Sequence, residues 1–162
     1  MNVTVPPTAD LFDAHSRDCE SCSVQFRQFG RRRAFAGAIR TVVCRDDNAL
    51  VRRALETPSP GEVLVVDGGG SLESALLGDV MAELGRKNGW AGAIIYGAVR
   101  DSLVLADLDF GVKAIGTNPK KSGKAGTGAS DITVTIGGVD FIPGHWVYTD
   151  DDGLLIFPRK IA

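Results

Sequence analysis

A chain of 162 residues, 44% of them hydrophobic, carries enough apolar material for one core and is too short for two ordinary domains. Its 18 lysines and arginines stand against 20 aspartates and glutamates, and a net charge of −2 excludes binding to nucleic acid or to an anionic membrane by bulk charge. No apolar run approaches the roughly 18 residues that span a bilayer, and MNVTVPPTADLF has no basic or apolar leader character, so the expectation is a soluble, cytoplasmic protein without a membrane partner.

Along the chain, Thr8 is placed to N-cap a short helix over 9–15. Cys19 and Cys22 form a single C-x-x-C. A zinc site needs two further ligands, and a redox pair needs a strand before it and a helix after it, whereas 24–29 reads as extended. With Cys44 the cysteine count is odd, which predicts reduced thiols. Arg31-Arg32-Arg33 has no aromatic residue spaced for base stacking and reads as a solvated bend. Residues 33–44, rich in β-branched and apolar types, predict a strand, and Asn48 is placed to cap a helix over 49–56 that Pro58 and Pro60 stop. EVLVVD (62–67) predicts a strand buried on both faces. The Gly68-Gly69-Gly70 that follows lacks a phosphate-binding lysine motif and fails the dinucleotide pattern at Glu73, so it reads as a tight turn.

Val80, Met81 and Leu84 recur at helical spacing over 78–87, and 91–96 predicts the next strand. A short helix near 102–108 and a strand over 112–116 lead into a polar, glycine-rich loop, 117–130. Gly137-Gly138 and then Asp150 to Gly153 separate short apolar runs as hairpin turns, and the aspartates lack the spacing of a calcium loop. His15 and His145 have no partner that suggests a triad. Strand–helix alternation followed by hairpins predicts a single α/β domain with a mixed sheet and antiparallel C-terminal hairpins.

Two places carry chemistry. Gly78-Asp79-Val80-Met81 opens a helix, where free backbone N–H groups accept a carboxylate or phosphate. Arg100-Asp101 follows a buried strand at the end where open α/β sheets bind ligands; an aspartate there holds a hard cation and an arginine holds a carboxylate or a developing enolate oxygen.

The strings VLVVDGGGS, LLGDVMAELGRKNGWAGAIIYGAVRD, VKAIGTNP and GGVDFIPG…VYTDDDGLLI resemble the family of regulator of ribonuclease activity A (RraA) and the class II 4-hydroxy-4-methyl-2-oxoglutarate aldolases, over about 8–157. The resemblance implies a compact domain of the swivelling β/β/α type, assembled as a homotrimer with pockets between subunits. In the aldolase branch it implies that Gly78, Asp79, Val80 and Met81 bind the substrate carboxylate, that Arg100 contacts the substrate oxygen and that Asp101 anchors a divalent metal, usually magnesium. The implied activity is cleavage of the hydroxy-keto acid to pyruvate, with oxaloacetate decarboxylation through the same enolate. In the RraA branch it implies binding and inhibition of ribonuclease E without chemistry. The chain departs from active aldolases at Val104, where they carry an acid, and has Gly144-His145 where the family commonly has Gly-Asp.

Overall fold

VLVVD, with four of its five residues fully buried, lies at the centre of the protein in a computed structural model that describes residues 4–162. In chain order the elements are α1 (Thr8–His15), β1 (Glu20–Cys22), β2 (Arg27–Gln28), β3 (Phe35–Val43), α2 (Ala49–Leu55), β4 (Val63–Asp67), β5 (Ala75–Leu77) and α3 (Asp79–Lys87). They continue with β6 (Gly92–Val99), α4 (Ser102–Leu105), β7 (Gly111–Thr117), β8 (Ala129–Ser130), β9 (Val134–Ile136), β10 (Val139–Phe141), β11 (Trp146–Asp150) and β12 (Gly153–Phe157).

Strands β3, β4, β6 and β7 pair in parallel in chain order. Crossovers of one hand between such strands put their helices on one face. Leu64 and Val66 of β4 and Ala93 and Ile95 of β6 accordingly share a cluster with Leu50, Val51 and Leu55 of α2, Met81 and Ala82 of α3, and Leu105 of α4. The alternate residues, Val63, Val65 and Ile94, point the other way and pack on Val134, Ile136, Val139 and Phe141 of the β9–β10 hairpin. Burial on both faces explains the continuous apolar runs, each such side chain contributing roughly 1.5–3 kcal/mol. Hairpin, sheet and helices form the three layers that the resemblance implies.

The long strand β3 serves two neighbours. Its first half pairs antiparallel with β11, which continues through β12 to β1, while its second half pairs with β4. Gly92 and Gly111 face one another across β6 and β7 under the Phe35 ring; a Cβ on Gly92 would lie 2.6 Å from the Gly111 carbonyl and 2.7 Å from the ring.

Some local expectations are corrected. Thr8 is the first residue of α1 and not its cap; its N–H and hydroxyl both donate to the Asp150 carboxylate, at 2.8 and 2.6 Å. Asn48 stands at the start of α2, but its amide donates to Met81 Sδ and it is Asp47 that accepts the Ala49 N–H. The helix after Asp101 stops at Leu105. β6 runs on to Val99, past a bulge against β7 between Ile95 and Ala98 that accommodates Gly97.

Other motifs have structural occupations. Cys19 and Cys22 belong to different apolar clusters, and burial pushes both thiols up. Arg32 pairs with Asp109 and Arg33 with Asp151, at 3.1 and 3.0 Å. The glycine turn is closed on itself: the Gly68 and Gly70 N–H groups donate to the Tyr96 carbonyl, and that of Gly69 to Asp67.

Candidate functional site

The site is assembled by β5, a three-residue strand that sequence patterning does not reveal. It pairs parallel with the end of β6, Ala75 opposite Ala98 and Leu77 opposite Val99, and the Arg100 N–H donates to the Leu77 carbonyl at 3.0 Å. β5 and β6 thus end side by side. Gly78 and the start of α3 leave one strand where Arg100 and Asp101 leave the other.

Asp101 occupies the left-handed region, φ 59° and ψ 39°, which aspartate tolerates better than most residues. From there its carbonyl accepts the Leu105 N–H at 2.9 Å, starting α4, while its Oδ2 accepts the Asp79 N–H at 3.2 Å. Gly78 makes this approach possible, because a Cβ at that position would stand 2.6 Å from Asp101 Oδ2 and 3.3 Å from Arg100 Cγ. The Val80 N–H donates to Asp79 Oδ1 at 2.8 Å. Two carboxylates therefore occupy the N–H groups of α3 that an anionic ligand would use, and Met81 contributes a third N–H with no protein acceptor among the described residues.

Arg100 and Asp101 are poor partners for each other. Nε lies 4.0 Å from Oδ2, the side chains are 42% and 37% exposed, and such a contact contributes roughly 0–1 kcal/mol. Arg100 Nη1 instead donates to the Pro119 carbonyl at 3.4 Å. The two adjacent charges face different neighbours.

Residues 117–126 form the adjoining wall. The Lys120 carbonyl accepts the Ala75 N–H at 2.8 Å, and Lys124 Nζ lies 3.5 Å from Asn48 Oδ1. Asp47 pins this loop by accepting the N–H groups of Ala125 and Gly126; burial opposes its ionisation, but these and the N–H groups of Ala49 and Thr127 hold its carboxyl below the usual range. The Ser74 and Ser71 hydroxyls likewise hold Asp46 down and tie in the glycine turn. Cys44 is no nucleophile at neutral pH: burial, reinforced by Asp47, Asp67 and Asp46, pushes its thiol up to about 12.

Around the polar site lie exposed apolar side chains, Leu72, Val80, Leu103 and Val104, with Val80 67% and Leu103 86% exposed. His145 lies elsewhere, its backbone bonded to Ile39 of β3 and to Ile142. Asp107 sits beyond the end of α4. A cavity of about 630 Å³ beside Phe35, Trp90 and Trp146 contains none of the site residues. The loop contacts at Pro119, Asn48 and Lys124 were not legible in sequence, since the only signal was a polar, glycine-rich stretch without an acid.

A hydrated divalent cation suits this donor set better than a fully ligated one. Among the described residues no three His, Cys, Asp or Glu side chains gather as a metal cage, so zinc lacks its ligands. Magnesium keeps most of its waters and needs only one or two carboxylates, which Asp101 satisfies in kind.

Solved structures with the same fold carry several descriptions. The chain is 46% identical to a Geobacillus kaustophilus protein described as an S-adenosylmethionine:2-dimethylmenaquinone methyltransferase, covering 96% of both chains with a TM-score of 0.94. It is 42% identical to the RNA-processing inhibitor RraA from Thermus thermophilis, covering 100% of this chain and 96% of that one at a TM-score of 0.93. Streptomyces coelicolor RraAS2, an unusual member of the RNase ES inhibitor RraA family, is 30% identical over 93% of this chain and 77% of its own, at a TM-score of 0.73. No helix among the described residues is long and apolar enough to cross a membrane. The RraA-like (Aldolase/RraA) family model matches residues 8–156, and with the fold and these relatives it establishes that the chain belongs to the RraA-like family.

Proposed function

We propose that the protein is a divalent-metal-dependent carbon–carbon lyase that cleaves 4-hydroxy-4-methyl-2-oxoglutarate to pyruvate and decarboxylates oxaloacetate as a side reaction. The observation that carries this reading is the convergence of the α3 start, Arg100 and Asp101 on one open face, with each charge directed to a separate neighbour. Asp101 would hold the cation, most suitably magnesium, which when bound supplies Lewis-acid polarisation of the keto group. The Met81 N–H, which has no protein acceptor among the described residues, receives the substrate carboxylate, joined by those of Asp79 and Val80 once the Asp101 carboxylate turns to the cation and the Asp79 carboxylate turns outward. Arg100 presents a planar, permanently charged donor to the oxygen on which negative charge develops as the bond breaks. In the cleavage, the electron pair of the C3–C4 bond passes into the pyruvate enolate, the C4 hydroxyl loses its proton to become the second keto group, and the enolate carbon takes up a proton.

Exposed Leu72, Val80, Leu103 and Val104 beside the site support a homotrimer in which a neighbouring subunit covers this face and closes the pocket. The glycine turn gives no support to methyl transfer, because its N–H groups are already committed to Tyr96 and Asp67.

A second reading rests on Val104, an exposed apolar residue where active aldolases carry an acid. On that reading the protein binds and inhibits ribonuclease E, and the pocket is a remnant. A coupled assay for pyruvate from both keto acids, with magnesium and with EDTA, separates the two. Magnesium-dependent pyruvate release supports the lyase; no release from either substrate, with inhibition of ribonuclease E at micromolar protein, supports the regulator.

A further inference from the structure

The strands that bring Gly78, Arg100 and Asp101 to one end of the parallel sheet leave a cavity of about 630 Å³ at the other. It is bordered by Gly61 just before β4, by Trp90 just before β6 and by Asp109 just before β7, so the length of β6, roughly 25 Å, separates it from the site described above. Its volume falls in the range of small-molecule sites. The floor is aromatic and closed: Phe35, Trp90 and Tyr148 are each at most 2% exposed, and Trp146 is half-buried beside them. The entrance is open at Gly61, where an added Cβ would meet nothing within 4 Å.

The rim carries three cations, Arg32, Arg86 and Lys160, and one carboxylate, Asp109. Two of the cations are engaged: Arg32 Nε donates to Asp109 at 3.1 Å, and Arg86 holds Glu83 through two hydrogen bonds, at 2.7 and 2.6 Å. Lys160 pairs with no acid among the described residues, and its Nζ stands 5.6 Å from the centroid of the Trp146 ring. Such a contact is weak at an exposed site, and a carboxylate within reach is a stronger partner for the ammonium. An apolar aromatic floor beneath one uncommitted cation selects a ligand with a flat apolar body and a single negative charge. We propose that this cavity is a second ligand site, taking a planar aromatic carboxylate whose ring lies against Trp146 and whose acid group meets Lys160. The site stands apart from the keto-acid chemistry, and its occupation does not depend on the lyase reading.

The chain has two tryptophans, Trp90 and Trp146, and both line this cavity, so tryptophan emission reports on it alone. The test titrates the full-length protein with trans-cinnamate and with its neutral isostere cinnamamide, following binding by calorimetry and by tryptophan emission. In the wild type cinnamate should saturate below roughly 1 mM, change the emission, and bind about tenfold more tightly than the amide, the effect of one charged hydrogen bond. Lys160→Met should remove most of that preference while leaving the amide within about twofold, and Lys160→Arg should keep it. Trp146→Ala should weaken both probes. Lys160 is exposed, and an unchanged melting temperature checks that its variants keep the fold. Equal affinity of the wild type for cinnamate and the amide, a full preference retained in Lys160→Met, or binding that leaves the tryptophan emission unchanged overturns the proposal. So does a wild type that binds neither probe, the result expected if a second copy of this chain covers the cavity.

Discussion

Gly78→Ala is the smallest change that reaches the centre of the site. The backbone at Gly78 is extended, φ −132° and ψ −166°, so alanine adopts it without strain and the perturbation is purely steric. The new methyl group would stand 2.6 Å from Asp101 Oδ2, where ordinary contact begins at 3.4 Å, so the carboxylate must retreat by about 0.8 Å. Retreat is inexpensive for the fold, because Asp101 is 37% exposed and loses one 3.2 Å hydrogen bond to the Asp79 N–H. Exchanging a glycine cap for alanine and losing that bond costs about 1 kcal/mol, a fall of roughly 2–4 °C in melting temperature. Function should suffer far more, since misplacing a reacting group by about 1 Å costs on the order of a hundredfold in rate. Magnesium-dependent pyruvate release and calorimetric metal titration read this out beside a thermal melt. Wild-type turnover and metal affinity in Gly78→Ala would refute the role given to the Gly78–Asp101 contact.

Gly92→Ala, by contrast, should act on the fold alone: its Cβ meets the Gly111 carbonyl and the Phe35 ring, and overpacking of this kind costs about 1–3 kcal/mol, read as a lowered melting temperature with unchanged activity per folded molecule. The Arg40 hydrogen bond holds Asp131 below its ordinary 3.8, so the ion pair stabilises the protein fully above that pH and the contribution is lost as pH falls through the lower folded value. Asp131→Asn should therefore be less stable than wild type by at most about 1 kcal/mol at pH 7, and the difference should shrink as pH falls below 3.8 in denaturant titrations. If the protein is the trimer proposed above, Leu103→Glu should shift it to monomers in light scattering without unfolding the chain, because Leu103 is 86% exposed within one subunit; a trimer that survives the change argues against this face as the contact.

Legibility in the sequence followed the length and regularity of the apolar pattern. VLVVD and the apolar run over 91–96 announce strands, buried because both faces are covered, and the paired glycines before Val139 announce a hairpin. β5 escaped because Ala75–Leu77 is too short to show a period, although it alone brings Gly78 beside Arg100. Caps are ambiguous until the tertiary partner is known: Thr8 lies inside α1 and turns to Asp150, while Asn48 holds the N-cap position of α2 but gives its side chain to Met81. β6 was cut short at Gly97, since a glycine reads as an end where the chain in fact bulges and continues. The Arg100-Asp101 pair stood out as two opposite charges after an apolar strand. That they turn to Pro119 and Asp79 follows from the left-handed backbone at Asp101, which no sequence pattern announces.

Paired substitutions measure directly whether Arg100 and Asp101 serve different partners. Asp101→Asn should abolish magnesium binding in calorimetry and magnesium-dependent pyruvate release while keeping the fold, because a neutral amide is a poor ligand for a hard cation. Arg100→Lys should bind magnesium as wild type does and lose about a hundredfold to a thousandfold in rate, the usual effect of removing one oxyanion stabiliser. If the two residues formed only a surface ion pair, each substitution would change stability by at most about 1 kcal/mol and leave both readouts untouched. A fully active, magnesium-binding Asp101→Asn protein would contradict the site as described.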